Sequence, residues 1–281
     1  MKLQTPVVFP PSDIRISLDE PLTLLGSCFA DAIGQKLLHA GFQACVNPFG
    51  TLYNPLSIRD AILRLDRPAP FTPDDCVEMG SGAGRVCSFS HHTSFARKDA
   101  ASFLAHANAA LGQAASHWQR SKKVIISLGT VWCWRHGGRV VANCLKRPQG
   151  EFTREAMSLA EVRETLSRIV REHPGKQFIW TVSPIRHLAD GAHAGQLSKA
   201  TLLLGCDGIP GTAYFPAYEI VMDELRDYRF YAEDMTHPSA QAEDYIWERF
   251  RAFATLPQEQ ARIDAAQKAW RASRHRPLLE D

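Results

Sequence analysis

The chain has 281 residues, of which 45% are hydrophobic and 22% charged, with a formal net charge of +2. That length suits one large α/β domain or two small ones, and the near-neutral balance gives no reason to expect nucleic acid or an anionic membrane surface as a partner. No run approaches the roughly 18 apolar residues of a membrane span, and residues 1–20 carry no apolar stretch after Lys2, so neither a span nor a signal peptide is expected. The seven cysteines, at 28, 45, 76, 87, 133, 144 and 206, are odd in number and hold no CxxC pair. A disulfide framework and a cysteine-rich zinc site are therefore disfavoured, and a cytoplasmic protein is the expectation.

Pro21-Leu22-Thr23-Leu24-Leu25 reads as the first strand, ended by Gly26. A helix follows, with Phe29, Ile33 and Leu37 on one face and a stop at Gly41. Asn54-Pro55 opens a second helix, a cap followed by proline at the first helical position, with Ile58, Ile62 and Leu65 directed inward. Residues 71–95, rich in Gly, Pro and Ser, read as an excursion with short strands, and the periodicity predicts a long helix over about 94–118. Val124-Ile125-Ile126-Ser127-Leu128, ended by Gly129-Thr130, is the clearest central strand. Ser158 and Glu161 form a capping box for a helix presenting Val162, Leu166, Ile169 and Val170. A further strand, Gln177-Phe178-Ile179-Trp180-Thr181-Val182, ends at Ser183-Pro184-Ile185-Arg186-His187, and 240–253 is a last amphipathic helix with Ile246, Phe250 and Phe253 on one face. Strands alternating with helices predict a parallel sheet covered on both sides. The expected fold is a three-layer α/β/α sandwich with a flavodoxin-like sheet, residues 1–257 forming one domain and 258–281 a polar C-terminal helix or tail.

In open parallel sheets ligands bind beyond the carboxyl ends of the strands. Three such ends carry distinctive residues: Gly26-Ser27-Cys28, Gly129-Thr130 and Ser183-Pro184-Ile185-Arg186-His187. Gly26-Ser27-Cys28-Phe29-Ala30 resembles the signature of the GSCFA family, which is grouped with the SGNH/GDSL hydrolases. Asn47-Pro48-Phe49-Gly50-Thr51-Leu52-Tyr53-Asn54-Pro55, the Ser183 to His187 block, Tyr214-Phe215-Pro216-Ala217-Tyr218-Glu219-Ile220 and Asp234-Met235-Thr236-His237-Pro238 are similar to further blocks of that family. The resemblance implies an SGNH hydrolase-like fold and acyl transfer.

A nucleophile at a strand-to-helix turn lies in the field of unpaired backbone N–H groups, which favours an anion and can stabilise an oxyanion. In GDSL enzymes the nucleophilic serine stands two positions after the glycine. Here that position is Cys28, while Ser27 takes the place usual for aspartate, so Cys28 is the first candidate and Ser27 the second. Helix N-termini and histidine neighbours favour the thiolate, the attacking form of cysteine. Asp234-Met235-Thr236-His237 matches the D-x-x-H block of the superfamily, with His237 as base and Asp234 holding its imidazole. The family pattern would draw an oxyanion donor from the Gly50 N–H. Its third block lacks the usual asparagine, Val131 standing there instead, so Thr130, Asn143 and Asn54 are the alternatives.

Around these, His91 and His92 either touch substrate or are solvated loop residues, and Arg186 and His187 form either an anion clamp or a structural ion pair. Asn54 is a further substrate-binding candidate. Trp132, Trp134, Tyr214 and Phe215 read as core or pocket wall. Neither metal nor organic cofactor is expected: there is no H-E-x-x-H, and Ser81-Gly82-Ala83-Gly84 lacks the lysine and strand–helix context of a phosphate loop. The functional expectation is an esterase or thioesterase acting on a small acyl substrate, free or as a carrier-linked thioester. An acyltransferase with a carrier thioester donor and a non-catalytic binding protein on the same scaffold are the alternatives.

Overall fold

The structure is a computed structural model that describes residues 5–274. In chain order its elements are β1 (Leu22–Gly26), α1 (Cys28–His39), β2 (Ala44–Val46), α2 (Pro55–Asp66), β3 (Val77–Glu78), β4 (Val86–Cys87), α3 (Ala100–Arg120), β5 (Lys123–Leu128), β6 (Trp132–His136), β7 (Arg139–Val141), β8 (Thr153–Ala156), α4 (Leu159–Glu172), β9 (Gln177–Val182), α5 (Ala192–Cys206), β10 (Thr212–Tyr214), α6 (Ala217–Glu219), α7 (Ala240–Ala254) and α8 (Gln260–Arg274).

Strands buried on both faces need apolar side chains at successive positions rather than alternating ones. β1, β5 and β9 have that character and form the middle of a five-stranded sheet in the order β2-β1-β5-β9-β10, with every pairing parallel. Counting only these strands along the chain, the order is 2-1-3-4-5, the flavodoxin-like arrangement expected from the sequence. Val124, Ile126, Leu128, Phe178 and Trp180 point to one face and pack with α2, α3, α4 and α5. Leu22, Leu24, Ile125 and Ile179 point to the other and pack with α1, α6, α7 and Ile263 of α8. Helices on both faces of one sheet make the three layers.

Several elements depart from the sequence expectation. α3 begins at Ala100, not near Ser94, because the Asp99 carboxylate caps it by accepting from the Ser102 N–H at 2.7 Å. Residues 93–95 instead form a 3₁₀ turn whose carbonyls are gripped by the Arg97 guanidinium. Between β5 and α4 the chain makes an unanticipated antiparallel sheet, order β7-β6-β8, while 71–95 supplies the short β3–β4 pair as expected. α5 and β10 were not read from the sequence. Of the two expectations for 258–281, a polar helix or a tail, residues 260–274 take the helix, α8, and it is docked rather than exposed throughout: Ile263 is fully buried and Trp270 stacks on His39 with ring centroids 3.6 Å apart. The part of that expectation covering 275–281 lies outside the described residues. Among the described residues no helix is long and apolar enough to cross a membrane.

Candidate active site

The strand order reverses between β1 and β5, and the loops leaving those strands meet there. β1 ends on Gly26, whose φ is +138° and whose position leaves no room for a Cβ: one built there would lie 2.1 Å from the Ser127 carbonyl oxygen. The turn is held from three sides. The Gly26 N–H donates to Asn47 Oδ1 at 2.8 Å, the Gly26 carbonyl accepts from the Leu52 N–H, and the Ser27 N–H donates to the Ser127 carbonyl. Asn47 Nδ2 in turn donates to Asp31 in the first turn of α1 at 2.6 Å. This clamp presents α1 with Cys28 at its first helical position, where backbone N–H groups have no intrahelical acceptor.

Ser27 is not presented in the same way. It is the N-cap, 1% exposed, with its Oγ accepting from the Phe29 N–H at 3.2 Å and sharing a hydrogen with Ser127 Oγ at 3.0 Å. Cys28 is half-buried and lines a cavity of about 650 Å³. Its Sγ lies 3.4 Å from the Tyr53 hydroxyl, which is itself 3.1 Å from Thr51 Oγ1.

His237, some two hundred residues away in sequence, lines the same cavity. Its Nδ1 is 2.6 Å from Asp234 Oδ2, while Asp234 Oδ1 accepts from the N–H groups of Thr236 and His237. The His237 N–H, its imidazole and the Thr236 N–H hold the Asp234 carboxyl down at about 2. A carboxylate so close keeps Nδ1 protonated and leaves Nε2 with the lone pair of the neutral ring. Met235, at φ +55°, lets the chain close this turn. Arg186 fixes the turn to the end of β9, its N–H donating to the Thr236 carbonyl at 3.0 Å and its guanidinium to the Met235 carbonyl at 3.1 Å.

The cavity also takes in Asn54, Thr130, Arg186 and His187. Asn54 caps α2 through Oδ1, which accepts from the Ser57 N–H at 2.8 Å. Thr130 lines the cavity, but its Oγ1 accepts from the Trp132 N–H and is hydrogen-bonded to Ser198 Oγ. Burial and the neighbouring Lys199 push His187 down to about 4, so its ring is neutral, with Nε2 shielded and unpartnered. Behind these loops lies Lys199, 4% exposed, whose Nζ donates to the carbonyls of Gly129 and Ser183 at 2.7 Å each. Burial lowers its pKa to about 7, and the two acceptors match the two N–H groups of a neutral amine.

Four expected site residues stand elsewhere. The Gly50 N–H closes a turn onto the Asn47 carbonyl at 2.7 Å, and Gly50 does not line the cavity. Asn143 is also outside it, its Oδ1 accepting from the Leu145 N–H at 2.8 Å where the chain passes through two positive-φ residues. His91, neither solvated nor at the cavity, is 1% exposed inside a cage of Phe49, Phe71, Phe95 and Phe103, bonded to Ser88, and burial lowers it to about 3. His92 caps the 3₁₀ turn through Ser94 and packs on Gly50.

The antiparallel sheet forms a wall that the sequence only hinted at. Trp132 and Trp134 share a face of β6, and Arg154 of β8 lays its guanidinium 4.3 and 5.3 Å from their ring centres while pairing with Asp190. The signal was there: Gly137-Gly138 between alternating runs marks a two-residue hairpin, and both glycines have positive φ. Tyr53 was visible inside a block but not as a contact of the thiol. Ser198 and Lys199 carried no sequence signal. Among the described residues no group of three His, Cys, Asp or Glu side chains is placed to hold a metal.

Fold and site together define a class: a flavodoxin-ordered α/β/α sandwich with a helix-N-terminal cysteine sharing its cavity with an aspartate-bound histidine. The chain belongs to the GSCFA family, whose sequence profile matches residues 21–250. No curated protein matches it.

Proposed function

We propose that the protein is an acyl-transfer enzyme, an esterase or thioesterase working through an acyl-thioenzyme at Cys28. The observation that carries this reading is the convergence of Cys28 and the Asp234–His237 pair on one cavity from opposite ends of the chain. In the proposed reaction Sγ attacks the acyl carbonyl carbon and the thiol proton passes to His237 Nε2. The tetrahedral intermediate collapses with loss of the alcohol or thiol, which takes that proton back. Water then attacks the acyl-thioenzyme, His237 again receiving and returning the proton. In the proposed reaction the Cys28 N–H, at the first helical position of α1, donates to the oxyanion. The capped, buried state of Ser27 supports Cys28 over Ser27 as nucleophile. Seven free thiols suit a reducing compartment, which supports a cytoplasmic location.

Mass spectrometry after exposure to short-chain p-nitrophenyl esters and N-acetylcysteamine thioesters tests the proposal. One acyl group is expected on Cys28, none in Cys28→Ala, and a reduced but real yield in Ser27→Ala. Free acid as final product identifies a hydrolase; persistence of the adduct until a second nucleophile is added identifies a transferase. Absence of both adduct and released acid with the wild-type protein would mean that the scaffold does not react with these acyl donors.

A further inference from the structure

We infer that the Tyr53 hydroxyl is a catalytic hydrogen-bond donor to the oxyanion formed when Cys28 attacks an acyl carbonyl, an inference that rests on the acyl-transfer reading above. The oxyanion is carried by the carbon bonded to Sγ. A donor in contact with Sγ therefore stands beside the place where that charge develops, and the Tyr53 hydroxyl is 3.4 Å from Sγ on the cavity wall. The residue is fixed from behind: its own carbonyl accepts from the N–H groups of both Gly129 and Thr130, at 2.8 and 2.9 Å. Its ring meets the edge of His187, with centroids 6.3 Å apart. A donor that does not have to reorganise when charge appears is the kind that stabilises a transition state most.

The hydroxyl also has its proton to give. Burial raises the Tyr53 pKa well above the usual phenol range, and the neighbouring Cys28 acts in the same direction. In the resting protein the hydroxyl has two hydrogen-bond partners, Sγ and the buried Thr51 Oγ1, each able to donate or accept. Once Sγ is bonded to the acyl carbon it is a poor acceptor, and the adjacent oxyanion becomes the strongest one in reach. The carbonyl π pair moves onto oxygen as the S–C bond forms, the thiol proton is on His237, and Tyr53 donates a hydrogen bond without losing its proton. Of the other side chains, Thr130 Oγ1 is bonded to Trp132 and Ser198, Asn143 serves a turn outside the cavity, and Asn54 lines the cavity with its Oδ1 turned to the Ser57 N–H, whereas Tyr53 alone of the four touches Sγ.

Acylation and alkylation of the same thiol separate this role from a general effect on the cysteine. Acetylation by p-nitrophenyl acetate passes through an oxyanion; alkylation by iodoacetamide, a displacement at saturated carbon, does not. Tyr53→Phe is expected to slow acetylation of Cys28 by about 10²–10³-fold, the scale of one lost oxyanion donor. Iodoacetamide should still label Cys28 within a few-fold of the wild-type rate, which also reports that the site is folded. Acetylation of Tyr53→Phe at the wild-type rate would overturn the inference, as would equal slowing of both reactions, which would make Tyr53 a positioning residue for the thiol; either result leaves Cys28 as nucleophile. A wild-type protein that takes no acetyl group on Cys28 overturns the underlying reading, and this one with it.

Discussion

Asp234 directs both carboxylate oxygens at its own turn, one to the imidazole and one to two backbone N–H groups. Its main work is therefore geometric, setting the His237 tautomer and the shape of the loop. In the serine-protease template, replacing the orienting aspartate by asparagine costs about 10⁴ in kcat. A cysteine depends less on its base than a serine hydroxyl does, being intrinsically more nucleophilic and part-ionised near neutral pH. Asp234→Asn is therefore expected to lower kcat by less than that factor, and by less than His237→Ala, in steady-state assays with an activated ester. Equal losses in the two folded variants would show that proton transfer, not thiol reactivity, limits the rate. At this scale the sequence was readable where a pattern is local. The register of Gly26-Ser27-Cys28 and the Asp234 to His237 spacing each describe a single turn. It was unreadable where a group's availability depends on the path of the chain. Gly50 looks like a free donor until its turn closes and consumes its N–H, Asn143 until its turn carries it outside the cavity, and the two adjacent histidines differ because only the first falls inside the phenylalanine cage.

Among the elements, the β1–α1 turn tolerates least. Alanine at position 26 would press a methyl group into the Ser127 carbonyl and force a non-glycine residue to φ +138°. Overlap and backbone strain each cost on the order of 1–3 kcal/mol, so Gly26→Ala should lose roughly 2–6 kcal/mol in urea denaturation and displace α1. Alanine at Gly112, on the open side of α3 where nothing lies within 4 Å of a built Cβ, should instead be neutral or stabilising. The central strands were legible because burial on both faces leaves an uninterrupted apolar signature. α5 was not, since it inverts the usual logic of an amphipathic helix: Leu197 and Leu204 are each 56% exposed while Lys199 is 4% exposed. The inserted sheet was missed because its strands are short and one, β8, has no buried residue. α3 was placed too early because its true cap, Asp99, follows a segment that is itself a tight turn.

Across the whole molecule, the edge opposite the cavity is fastened by a polar knot joining three helix ends. His173, the C-cap of α4, has Nδ1 on the Ile169 carbonyl at 2.6 Å and Nε2 on Asp66 at 2.9 Å, and Asp66 also accepts from Trp118 Nε1 at 2.7 Å. Burial works against charge on His173, but Asp66 and the Ile169 carbonyl outweigh it, and the pKa is raised; Lys176 opposes more weakly. Burial likewise works against the Asp66 carboxylate, but the His173 and Trp118 donors outweigh it and lower its pKa. The His173 contribution is complete below its unfolded pKa, about 6.5, and is lost as pH rises through the higher folded value; the Asp66 contribution is complete above about 3.9 and is lost as pH falls through the lower folded value. The pair should thus stabilise most between about pH 4 and 6.5. His173→Gln should destabilise by roughly 1.5–3 kcal/mol at pH 5.5, and by clearly less at pH 9, in urea titrations; a difference that does not change with pH would mean that the ring is neutral throughout.

The wall of the cavity is attached to the sheet by a narrow neck. The chain leaves at Val131 and returns at Met157, whose N–H donates to the Val131 carbonyl at 3.0 Å, and Trp132 pairs with Ala156 just beyond. Because entry and exit are stitched together, a change in the length of the Gly137-Gly138 turn is absorbed above the neck and is not transmitted to β5 or α4. The wall can therefore drift while the β1 end that carries Cys28, and the β9 end to which Arg186 ties the His237 turn, keep their registration. Residues of the wall and residues of the proposed reactive centre should therefore be open to diversification one set at a time, with variants of the Gly137-Gly138 turn expected to keep the stability of the parent fold.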